Sequence, residues 1–152
     1  IEDFTGTRPG GWLGPGLKES FDTPDILKEL GVEYLFDWVL DDLPCWMTTT
    51  QGPLLSVPYT LELNDSPIYA VERQHSSEIH DRLVSTLEVF ETELKDQPRV
   101  LPLALHPHLI AVPHRFVWLE RMLDLLQARN DAVFVKGRDI ADWYIAACPP
   151  DA

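Results

Sequence analysis

Apolar residues recur along this chain in two distinct patterns. Ile79, Leu83, Leu87, Phe90 and Leu94 fall at spacings of three and four, which places them on one face of a helix. Glu88, Glu91 and Glu93 fall on its solvated side. The same periodicity predicts a helix over residues 116–128, with Leu119, Met122, Leu123 and Leu126 inward. A shorter helix opens at Thr23-Pro24, because threonine can cap and proline suits the first helical position. Ile26, Leu27 and Leu30 form its apolar face, and Gly31 ends it as a left-handed cap. A last helix runs over residues 138–147, after Gly137. Between the helices lie apolar runs without the 3.6-residue period, at residues 32–36, 54–63, 100–105 and 132–135. Such runs read as strands buried on both faces. Residues 1–4 read as the end of another strand. Residues 39–53 read as a loop, and Asn64-Asp65-Ser66-Pro67 as a turn.

Strands alternating with helices imply right-handed βαβ units and a parallel sheet or barrel. The chain thus reads as one α/β domain over residues 1–152, covering part of a barrel. In such folds the chemistry sits at the carboxyl ends of the strands. His106 stands at that end of the run over residues 100–105, and Pro107 stops the strand because it has no N–H for the ladder. The other strand ends would bring Arg8 and Trp12, then Asp37, Trp38, Asp41, Asp42 and Trp46, then Asn64 and Asp65 to the same rim.

This set suits hydrolysis of a polar substrate. A histidine can protonate a leaving group near neutral pH, an arginine can orient a carboxylate, and indoles can wall a pocket. Plainer readings stand beside these. Asp41-Asp42 and Asn64-Asp65 are also ordinary turn residues. Arg8 could serve only to pair with a surface acid. Trp118 and Trp143 fall in helical patterns and read as core. His108 lies two residues beyond His106, and a His-x-His pair can chelate metal, but no third ligand stands at zinc-site spacing.

Composition narrows the partners. The chain has 152 residues, 45% hydrophobic and 24% charged, with a formal net charge of −13. So acidic a chain lacks the basic face that nucleic acid requires. Its longest apolar run is far short of a membrane span. Two cysteines make neither a metal set nor a disulfide framework, and a reducing, cytoplasmic location fits them best. Because the sequence opens on Ile1, directly into an apparent strand end, an amino-terminal part of the domain is expected to precede it.

Several short motifs carry a resemblance. Thr7-Arg8-Pro9-Gly10-Gly11-Trp12, Phe36-Asp37-Trp38 with Asp41-Asp42-Leu43-Pro44-Cys45-Trp46, Val57-Pro58-Tyr59-Thr60-Leu61 with Asn64-Asp65, and Leu103-Ala104-Leu105-His106 occur in this order. Together they resemble the polysaccharide deacetylase (NodB-type) superfamily, in its allantoinase-like and peptidoglycan-deacetylase-like branch. The resemblance runs from Gly6 to about Tyr144 and corresponds to the carboxyl-terminal half of the family domain. It implies a deformed (β/α) barrel and hydrolysis of non-peptide C–N bonds, either removal of N-acetyl groups or opening of a ureide ring such as allantoin. By resemblance, His106 is the general acid and Arg8 positions the catalytic carboxylate. By resemblance Trp12, Trp38 and Trp46 are substrate-pocket aromatics, and the strand-end rim is expected to add Asp37 and Asn64 to the substrate-binding set. The family's catalytic aspartate and metal-binding residues lie upstream of the matched motifs, so the resemblance implies no metal ligand in this chain. A divalent metal such as zinc would be held by amino-terminal residues of a full-length protein, and metal use stays open because some members of the branch work without one. Where the branch has an arginine after its histidine, this chain has His108. The expected parent is a homo-oligomer acting on a small polar or carbohydrate substrate, with this half inactive alone. The alternative is a module that binds a carbohydrate or small ligand without turnover.

Overall fold

The computed structural model describes residues 1–150, which form two compact units. The first comprises Ile1–Tyr59 and the stretch from Val135 onward, and the second Thr60–Phe134.

The first unit is built on a four-stranded sheet in the order β1-β2-β4-β3: β1 Gly11–Trp12, β2 Tyr34–Leu35, β3 Cys45–Thr49 and β4 Gly52–Ser56. β1, β2 and β4 are parallel, and β3 pairs antiparallel with β4. Two helices cover its faces, α2 (Thr23–Glu29) and α6 (Gly137–Ala147). Because side chains alternate along a strand, Leu35 and Leu54 pack with Leu27 and Val32 on one face. Tyr34 and Leu55 pack with Ala141 on the other. This double burial explains why β2 and β4 read as continuous apolar runs.

The second unit is mainly helical, built around α3 (Glu78–Glu93), α4 (Pro107–Ile110) and α5 (Pro113–Gln127). Its core joins Ile79, Leu83 and Leu87 of α3 to Met122 and Leu126 of α5, with Ile68 beneath. The three longer predicted helices and the one at Thr23 all form, within three residues of their expected bounds.

The strands differ more. The expected strand end is helical instead: α1 spans Glu2–Thr5, with the Gly6 N–H closing on Glu2 O at 2.8 Å and Gly6 left-handed at φ 70°. No sheet partner reaches this exposed stretch, so local bonds prevail over its strand-like look. The expected loop over residues 39–53 contains β3, whose registry with β4 runs from Cys45↔Ser56 to Thr49↔Gly52. Its threonines suit a pleated surface. The run at 54–63 leaves the sheet after Ser56, close to Pro58, which has no N–H to give. Residues 100–105 make one parallel bridge, Asn64↔Ala104, instead of a full strand. Pro102 interrupts the ladder there, while Leu101, Leu103 and Leu105 pack against the core. Residues 132–135 pair with nothing as a strand, and Val133 is 82% exposed. Trp143, expected in the core, is 44% exposed and packs edge-on against Tyr144.

Candidate functional site

In the second unit the chain reverses at Asn64-Asp65 and enters a π-helical turn, Ser66–Val71. Ala104 lies alongside as a parallel partner: its N–H donates to Leu63 O at 3.0 Å, and Asp65 N–H donates to Ala104 O at 3.1 Å. Two residues beyond Ala104 the next ladder donor would be the N–H of His106. It is met by a side chain: Asp65 Oδ2 accepts it at 2.7 Å. Asp65 Oδ1 takes the imidazole Nδ1 at 2.6 Å. The Asp65 side chain is fully buried, whereas that of His106 is 42% exposed.

A buried carboxylate is tolerable only when its oxygens are hydrogen-bonded, and both are. Because a carboxylate oxygen only accepts, the pairing puts a proton on Nδ1 and fixes the ring orientation. Nε2 is left for a proton exchange with something outside the protein. The sequence placed Asp65 at a strand end on the rim, beside its plainer reading as a turn residue, but did not pair it with His106. The signal that could have found it is an Asp at the end of one extended segment and a His at the end of another.

In the first unit the carboxyl ends of β1 and β2 gather a second group. Asp37 follows β2 and is 8% exposed, with Oδ1 accepting the Gly14 N–H at 2.6 Å. Trp38 is 41% exposed, and its indole Nε1–H donates to Glu19 Oε2 at 2.8 Å. Trp12 ends β1 and is 40% exposed. Glu19, which the sequence did not single out, is the unexpected member. Burial, a hydrogen bond with Asp37 and repulsion from its charge push the Glu19 carboxyl up to about 7, against a smaller opposing pull from the Trp38 N–H.

Other expected site residues go elsewhere. Arg8 precedes β1 and lies against Gly31, just before β2, so it sits at the amino edge of the sheet and not on the rim. Trp46 is inside β3, not in a loop, and packs on the α6 side with its indole N–H donating to Cys148 O at 2.7 Å. Asn64 is 5% exposed and uses its amide internally, donating to Thr60 O and accepting from Ser66 N–H. Among the described residues, no three or more His, Cys, Asp or Glu side chains are grouped to hold a metal ion. His106 and His108 lie side by side. The rings stand edge-to-face with centroids 5.9 Å apart, and His106 already commits Nδ1 to Asp65.

Comparison with known proteins places this geometry. No family model matches the chain. A Schizosaccharomyces pombe protein named "Putative polysaccharide deacetylase" is 28% identical over 138 residues, covering 82% of this chain and 43% of that protein. A structure of a "probable Polysaccharide deacetylase" from Pseudomonas aeruginosa PAO1 superposes with a TM-score of 0.86 at 30% identity, over 99% of this chain and 51% of the other. The structure of PuuE allantoinase gives 0.87 at 28% identity, over 99% of this chain and 50% of the other. The chain therefore spans about half the length of the proteins it matches. These neighbours identify a mixed α/β fold of the polysaccharide deacetylase and allantoinase-like, NodB type, of which the chain shows part.

Proposed function

We propose that this chain, as the carboxyl-terminal part of a longer protein of that type, supplies the acid side of a hydrolase for non-peptide C–N bonds. The observation that carries the reading is the His106–Asp65 pair, a partly exposed imidazole held at 2.6 Å by a carboxylate with no solvent contact. The similarity to polysaccharide deacetylases and an allantoinase supports amide or ureide substrates.

In this reading water attacks the substrate carbonyl, and the departing nitrogen needs a proton before it leaves. His106 Nε2 gives that proton, and Asp65 holds the ring in the orientation and tautomer that aim it. Trp12 and Trp38 present indole surface that suits a flat or ring-shaped ligand. The general base, and zinc or another divalent metal if the whole protein uses one, come from sequence outside this chain.

The test joins the chain to its upstream sequence and measures hydrolysis of N-acetylated sugars and of allantoin. His106→Ala is expected to lower kcat by about 10²–10⁴-fold, the usual contribution of general acid–base catalysis. Unchanged turnover would remove His106 from the mechanism. Saturable binding of these compounds with no product at any pH would favour the binding-module alternative.

A further inference from the structure

The loop after β1 and the end of β2 bring two carboxyl groups face to face. Each has one oxygen satisfied by an N–H: Gly14 N–H to Asp37 Oδ1 at 2.6 Å, and Trp38 Nε1–H to Glu19 Oε2 at 2.8 Å. The remaining oxygens, Glu19 Oε1 and Asp37 Oδ2, are both inaccessible to solvent and reach no N–H or O–H donor. The two carboxyl groups are close enough for a side-chain hydrogen bond between them. Two bare carboxylate oxygens cannot share a dry contact, since each is acceptor-only and their charges repel. One proton between them resolves both problems.

The surroundings are shaped for such a contact. A Cβ placed on Gly14 would stand 2.7 Å from Asp37 Oδ2, so only glycine lets the carboxyl come this close. Leu17, between Gly14 and Glu19, is in the left-handed region at φ 55°, a conformation that costs a non-glycine residue energy. The titratable group that faces Glu19 from the β2 side is Asp37, and no basic side chain is among the groups acting on it.

We propose that Glu19 and Asp37 hold a single proton between them, and that Glu19 is thereby a positioning residue that sets the Trp38 indole at the carboxyl edge of β1 and β2. The pair does not depend on the hydrolase reading. Below neutral pH the acid–carboxylate pair is closed, and Trp38 is held by Glu19 Oε2. Deprotonation leaves two like charges in a buried contact, the loop carrying Glu19 withdraws, and the indole loses its acceptor.

The experiment is an NMR titration of the chain between about pH 5 and pH 9, bracketing the Glu19 transition. It follows the Trp38 indole N–H and the Gly14 amide N–H, with the indole assigned by its loss in Trp38→Phe. Both signals are expected to shift together with one midpoint near 7. In Glu19→Gln the midpoint should vanish while the indole N–H stays protected, because the amide still accepts from Trp38 and donates to Asp37. In Asp37→Asn the Glu19 midpoint should fall toward the ordinary carboxylate range, since the partner becomes a donor. A midpoint near 7 that survives Glu19→Gln belongs to another group and overturns the proposal. So does a wild-type midpoint at the ordinary glutamate value. Should Glu19→Gln not fold, the Asp37→Asn titration decides alone.

Discussion

Asp65→Asn is the sharpest probe of the His106 arrangement, because it changes charge and donor pattern at nearly constant volume. In the native protein two donors converge on Asp65, the His106 backbone N–H at 2.7 Å and its Nδ1–H at 2.6 Å. An asparagine has one oxygen and one NH₂ at this place. It can accept from the backbone N–H, but it then presents a donor to Nδ1. The imidazole must move away or shift its proton to Nε2 so that Nδ1 accepts. One charge-assisted hydrogen bond is lost and the other becomes neutral, a cost of roughly 1.5–3 kcal/mol. In a chain of this length that corresponds to a melting temperature lower by roughly 3–12 °C. Calorimetry or circular dichroism reads the stability, and ¹⁵N NMR of the ring nitrogens reads the tautomer. Nitrogen shifts that still report Nδ1–H, with stability unchanged, would show that Asp65 does not orient the ring or fix its tautomer. In the assembled parent enzyme the same substitution should depress kcat more than KM, because the ring would lose the carboxylate that holds its orientation in a well-bound substrate complex.

Leu83→Ala removes a side chain with no exposure from the α3–α5 core, so equilibrium denaturation should show a loss of about 2–5 kcal/mol. Gly11→Ala should also destabilise, by about 1–3 kcal/mol, because the new methyl would sit 2.4 Å from the Tyr34 ring and force β1 away from β2. A wild-type melting curve for Gly11→Ala would mean that Tyr34 can swing clear. The folded state holds the Glu19 proton more tightly than the unfolded chain does, so it binds more protons between pH 4.5 and about 7. The stability this contributes is fully present below pH 4.5 and declines as pH rises through about 7, a slope that Glu19→Gln should remove in denaturation measured across that range.

The helices were legible because their information is local. In α3 the positions Ile79, Leu83, Leu87 and Phe90 are all buried, as a repeat of three and four dictates for any helix lying on a core. Proline at the start of α2 and the apolar runs of β2 and β4 were legible for the same reason. His106 also stood out, since a histidine ending an apolar run before a proline is a local pattern. The order of the Arg-Pro, Asp-Trp, Asp-Asp-Leu-Pro and Leu-His motifs carried the fold resemblance that the structural neighbours bear out.

What the tertiary structure decided is who meets whom. β3 forms because a turn lets Cys45–Thr49 fold back on β4, whereas the same threonines beside a proline read as loop. Trp46 became a packing residue and Arg8 an amino-edge residue through strand boundaries that shift by a few positions, and each shift moves a side chain to another face or end. The partner of His106 lies 41 residues away, and that of Glu19 eighteen residues away, across hydrogen bonds that no periodicity encodes. Sequence alone determined which residues carry a proton or an indole. Only the fold decided that Asp65 holds the histidine and that Glu19 meets Asp37, because such pairing depends on distance and desolvation, and chain order specifies neither.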